Sequence, residues 1–132
     1  MRYLSMIRID ETRGQQPSEQ LMEDMGNLIQ ELTQSGALIS TAGLRPTAEG
    51  ARVRLRKGRL STTDGPFTES KEVIGGYAIV EAASLKDAIA LTERFLAIHG
   101  SEWDIECEIR QIDGPEFGCE RVSAATAAAS AS

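Results

Sequence analysis

The chain has 132 residues, 41% of them hydrophobic and 26% charged, and its 20 acids against 14 bases give a formal net charge of −6. That length suits one domain with a self-sufficient core, and the acid excess opposes nucleic acid and anionic membrane as partners. No apolar run reaches membrane-spanning length, and the first residues lack the apolar region and cleavage site of a signal peptide.

Residues 2–9 are apolar on both faces, with Leu4 and Met6 opposite Tyr3, Ile7 and Ile9, a pattern that predicts a central strand covered on both sides. Asp10 to Gln16 is polar, holds Gly14 and reads as a loop. Ser18 is placed to cap a helix entered through Pro17, with Glu19 in its first turn. Leu21, Met25, Leu28, Ile29 and Leu32 then recur at helical spacing, and Gly36 stands where a left-handed C-terminal residue belongs. The methionines there read as core filling.

Residues 37–42 form a second predicted strand, ended by Gly43 and Pro46. An amphipathic hairpin follows, with strands over 52–56 and 59–62 joined by a Lys57-Gly58 turn. Its alternation sends Val53, Leu55 and Leu60 inward and gathers the arginines, Arg54 among them, on the other face. This is the one basic patch of an acidic chain. It can hold an anionic ligand or an acidic partner surface, or be a solvated face that discourages edge pairing. No aromatic is interleaved with the arginines, which argues against nucleic acid.

Residues 77–82 read as the next core strand. Ser84, with Asp87 three residues on, opens a second helix that carries Leu85, Ala88, Ile89, Thr92, Phe95 and Leu96 on one face and stops at Gly100. His99, the only histidine, falls in its last turn, where the helix dipole gives a cation a structural reason to be. No second histidine or nucleophile pattern accompanies it. Residues 105–112 alternate as a strand with one wet face, and Cys107 on the apolar side reads as a buried, unreactive thiol. Cys119 is remote from Cys107, so the two make no metal-ligand spacing, and a reduced cytoplasmic protein without metal or other cofactor is expected. Asp113-Gly114-Pro115 echoes turn chemistry, and the Ala/Ser-rich stretch 119–132 reads as a flexible tail after a single domain over 1–118.

The densest stretch is Thr63-Asp64-Gly65-Pro66-Phe67-Thr68-Glu69-Ser70-Lys71-Glu72, running into Val73-Ile74-Gly75-Gly76-Tyr77. Pro66 fixes its own φ, Asp64 can accept from backbone N–H groups two or three residues on, and Phe67 can anchor the loop. The glycine pair allows close approach of backbone or ligand. Turn chemistry accounts for much of this; the functional reading makes the stretch a pocket wall. There Asp64, Glu69 and Lys71 are the catalytic candidates. Asp64 and Glu69 would orient or deprotonate a ligand, Lys71 would neutralise an anionic group, and Phe67, Tyr77 and Arg54 would complete the binding set.

Asp-Gly-Pro-Phe followed by x-Glu-x-Lys-Glu-x-x-Gly-Gly-Tyr resembles the signature of the DGPF-type, YciI-related (YCII-domain) family of small bacterial proteins. The likeness extends to Arg2-Tyr3-Leu4, Gly43-Leu44-Arg45-Pro46 and Val53-Arg54, and covers roughly residues 1–113. It implies a ferredoxin-like α+β domain that pairs into a dimeric α/β barrel, without an assigned biochemical activity. Many relatives lie beside alternative sigma factors, which implies an accessory regulatory role as one alternative. Short relatives carry a helix-one histidine and a helix-end aspartate, proposed as a catalytic pair; those places fall near Gly26 and Ser35 here, so this chain lacks that pair.

The element order is therefore β-α-β-β-α-β with a hairpin inserted between the second and third strands, helices on one face of an antiparallel sheet. The other face is apolar and has nothing in the sequence to cover it, which independently predicts a homodimer. Three functions follow: a small-molecule binder, or a metal-independent enzyme, using the motif as pocket wall; a protein–protein regulator; or a structural dimer.

Overall fold

Strand β1 (Arg2–Ile9) lies inside the sheet, hydrogen-bonded on both edges, and the rest of the chain is laid around it. The structure is a computed structural model that describes residues 1–67 and 72–113. Helix α1 (Glu19–Gln34), β2 (Leu38–Gly43), β3 (Ala51–Arg56), β4 (Arg59–Asp64), β5 (Val73–Glu81), α2 (Leu85–Ala97) and β6 (Glu106–Gln111) follow. Four strands form one antiparallel sheet in the order β2-β5-β1-β6, and β3 and β4 form a separate two-stranded sheet. With both helices on one face this is the expected ferredoxin-like α+β arrangement.

Local chemistry sets the helix limits. The Ser18 hydroxyl accepts from the Leu21 N–H at 3.1 Å and the Ser84 hydroxyl from the Asp87 N–H at 3.2 Å. Each satisfies one of the unpaired donors of a first helical turn. Gly36 (φ 82°) and Gly100 (φ 84°) take the left-handed conformation after each helix, where a side chain would be strained.

Strand alternation then separates two sheet faces. Gly76, Ala78 and Val80 of β5 are buried under the helices, whereas Tyr77 and Ile79 on the opposite face are half-buried. Leu28 and Leu32 of α1 pack onto Tyr3, Leu38 and Val80, and each such leucine contributes about 1.5–3 kcal/mol by leaving water. The Arg94–Glu31 pair at 2.7 Å ties α2 to α1, but both side chains are about half exposed and the pair adds little. No helix among the described residues is long and apolar enough to cross a membrane.

Three sequence expectations need correction. Val53, Leu55 and Leu60 do not face inward; they are 72%, 69% and 75% exposed. The reason is topological, because the hairpin stands as its own sheet and has no layer behind its apolar side among the described residues. The third core strand begins at Val73 rather than Tyr77, since both glycines lie within β5, Gly76 opposite Ile7 and Gly75 at the register shift between Ile7 and Arg8. Finally, the loops after β1 and β2 contain short 3-10 turns, Glu11–Arg13 and Thr47–Glu49. These turns hold the central motif. Glu11 accepts from the N–H and hydroxyl of Thr47, and Thr47 Oγ1 in turn accepts from the Phe67 N–H at 3.4 Å.

Candidate functional site

A cavity of about 350 Å³ lies between the sheet and the two helices, with Gly75 and Gly76 of β5 in its lining. Met25 and Ile29 of α1 and Phe95 and Leu96 of α2 wall it; Ser5, Ala78 and Cys107 belong to its sheet side. The volume lies in the range of small-molecule sites, and the apolar lining with a few polar groups is the usual composition of one.

The polar groups of this chamber are nearly all committed. Thr92, 5% exposed, donates to the Ala88 carbonyl at 3.0 Å and lies 3.4 Å from the Ser5 hydroxyl, itself 4% exposed. Thr41 donates to the Tyr77 carbonyl at 2.9 Å. His99 Nδ1 is 2.9 Å from the Phe95 carbonyl oxygen, and the ring meets Trp103 edge-on with centroids 5.5 Å apart. No Asp, Glu, Lys or Arg is among the described residues that line the chamber.

Cys107 is half-buried there, and removal from water pushes its thiol pKa up; the Ser5 hydrogen bond opposes that rise and the charge of Glu106 adds to it. The folded state thus holds this proton more tightly than the unfolded chain does. Its contribution to stability is full below the ordinary thiol range, about pH 8.5, and is lost as pH rises through the raised value. Urea unfolding midpoints should therefore fall as pH climbs above that range, and fall less in Cys107→Ala. Equal slopes for the two proteins would refute this.

The residues singled out in the sequence are spread over several places. Phe67 borders a second, more open cleft of about 480 Å³ with Arg8, Arg45 and Thr47, and its ring lies under the Arg52 guanidinium at 3.9 Å. Phe67 does anchor the loop, against the hairpin. Pro66 borders a third cleft, of about 530 Å³, with Glu11 and Trp103. Asp64 and Arg54 are exposed, on opposite faces of the hairpin, because Asp64 pairs with Ala51 and Arg54 with Ser61. Tyr77 lies on the sheet face away from the helices, its hydroxyl 3.5 Å from that of Ser40. Glu69, Lys71, Cys119 and the 119–132 tail lie outside the described residues. Asp64, Phe67, Tyr77 and Arg54 thus share no cavity among the described residues; what the motif contributes to the chamber is Gly75 and Gly76. His99, read from the sequence as a helix-end residue with a structural reason to be there, also lines the chamber.

Among the described residues no cluster of three or more His, Cys, Asp or Glu is placed to hold a metal ion. A family model described as the YCII-related domain matches residues 1–99. An uncharacterized protein of Rhizobium meliloti (strain 1021) is 32% identical over 76 residues, 58% of this chain and 61% of that protein. The chain thus spans less than two thirds of that relative's length.

Proposed function

As this chain belongs to the YCII-related family, for which no activity is assigned, we propose that it is a homodimeric small-molecule-binding protein whose ligand sits in the chamber between sheet and helices. The observation that carries this reading is the chamber itself, about 350 Å³ of mostly apolar space with a histidine at its lining and no charged side chain among the described residues that line it. Its size and its apolar lining with a few polar groups are those of small-molecule sites.

The test is a titration of isotope-labelled protein with naphthalene, followed by amide shifts. Shifts should concentrate at Gly43, Gly75, Gly76 and Thr92, and should vanish in Met25→Trp or Thr41→Leu, which place bulk at the chamber lining. Folding of each variant is checked by its own spectrum. Shifts confined to the hairpin or the open clefts would refute the chamber as the site.

The dimer rests on the other sheet face. In register, Leu4 lies beside Ile79 and Met6 beside Tyr77, so four large side chains form a contiguous apolar patch with no layer over it among the described residues. Glu108 beside Met6 and Arg110 beside Leu4 border the patch with opposite charges, a self-complementary rim for a two-fold contact.

A further inference from the structure

The chamber's proton inventory narrows what it can hold. A carbonyl oxygen only accepts, so the bond from His99 to the Phe95 carbonyl places a proton on Nδ1. In the neutral ring Nε2 is then an acceptor with no hydrogen-bond partner among the described residues, on a ring that lines both the chamber and a neighbouring polar cleft with Asp24 and Glu102. The hydroxyls around it are spent. Thr92 has one proton, taken by the Ala88 carbonyl at 3.0 Å, and Thr41 gives its own to the Tyr77 carbonyl. Ser5 is shared between Thr92 and the Cys107 thiol.

The same walls disfavour charge. A carboxylate, phosphate or ammonium brought in would give up part of its hydration and meet no counter-ion among the described residues that line the chamber. A ligand with no polar group would fit the apolar surface but would offer Nε2 no donor in place of water. The complementary molecule is uncharged, mostly apolar, and carries one donor.

We infer that the chamber takes a neutral, ring-sized apolar molecule bearing a single O–H or N–H donor, of the phenol or enol class, and that His99 Nε2 accepts that hydrogen bond. This rests on the chamber being the binding site, and specifies the ligand class and the residue that selects it. His99 is a specificity-determining residue here. Its ring is held for the task by the Phe95 carbonyl on one side and by the edge of Trp103.

The experiment compares 2-naphthol, naphthalene and 2-naphthoate, three probes of one shape, by affinity and by amide shifts in the same protein. One neutral hydrogen bond predicts that 2-naphthol binds about fivefold to tenfold tighter than naphthalene. The naphthoate should bind at least about tenfold weaker than 2-naphthol, because its charge is desolvated without a partner. His99→Phe should keep naphthalene affinity and erase the naphthol preference, and His99→Gln, which retains an acceptor, should restore part of it. A merely structural histidine would change all probes together. A naphthol preference that is absent in the wild type, or that survives in His99→Phe, overturns the inference while chamber shifts with naphthalene still uphold the site. Naphthoate binding as tightly as naphthol overturns it as well. Absence of chamber shifts with all three probes overturns the site and the inference together.

Discussion

Gly65→Ala should be the most damaging single substitution in the central motif, costing about 3 kcal/mol or more and leaving little folded protein under ordinary conditions. A Cβ on Gly65 would lie 1.6 Å from the Thr47 carbonyl oxygen and 2.5 Å from its carbon. Those atoms are backbone in a 3-10 turn that the Glu11 carboxylate already holds, so they cannot swing aside. The Gly65 N–H also donates to the Gly50 carbonyl at 3.0 Å, fixing the two segments at that separation. Gly75→Ala supplies the contrast. Its Cβ would come 2.5 Å from Ile9 Cδ1 and 2.8 Å from Ile9 Cγ1, side-chain atoms that a rotamer change can move where backbone atoms cannot. Urea unfolding should therefore rank Gly65→Ala well below Gly75→Ala. A Gly65→Ala protein within about 0.5 kcal/mol of wild type would show that the motif is not docked on the Thr47 turn.

That contrast also marks what the sequence could reveal. The caps at Ser18 and Ser84, the left-handed glycines 36 and 100, and the spacing of Leu21, Leu28 and Leu32 act within a few residues of themselves, so both helices and the buried face of α1 were legible; on α2, Leu85 and Ile89 of the predicted face are 49% and 42% exposed, and Ala88 and Thr92 are the buried residues. The role of Gly65 was not. Its constraint comes from Thr47, eighteen positions earlier, and no local pattern announces that two loops will touch. Asp64 misled for the same reason. Turn chemistry made it the natural acceptor for the residues after Pro66, but the Phe67 N–H finds Thr47 Oγ1.

The hairpin shows a second limit. Alternation correctly divided Val53, Leu55 and Leu60 from the arginines, and the Lys57-Gly58 turn takes the positive φ values, 50° and 79°, that such a tight turn requires. Alternation says which residues share a face but not whether anything lies behind it. The candidate site was half legible in the same sense. The glycine pair signalled close approach, and both glycines line the chamber, while His99 and Cys107 reach it from elements that only the fold brings together.

Substituting Ile79→Glu should convert the proposed dimer to a monomer while leaving the fold intact. Ile79 stands between Leu4 on β1 and Ser40 on β2, in the middle of the uncovered sheet face. In a single chain its side chain is half-buried at an open surface, where a carboxylate can still reach water. In a two-fold contact through that face, two such carboxylates would be sealed among Leu4, Met6 and Tyr77 of each copy. An uncompensated buried charge costs about 3 kcal/mol or more, which weakens association by about a hundredfold at each copy's site. Ile89→Glu is the control, because Ile89 is 42% exposed on α2, on the other side of the sheet. Light scattering at micromolar concentration should return twice the 14.3 kDa chain mass for wild type and Ile89→Glu, and the single mass for Ile79→Glu. Circular dichroism should report the same helix content in all three proteins. A wild-type protein of single-chain mass would remove the dimer altogether. A dimer that survives Ile79→Glu but is lost on Leu55→Glu and Leu60→Glu would move the contact from the sheet face to the apolar side of the hairpin.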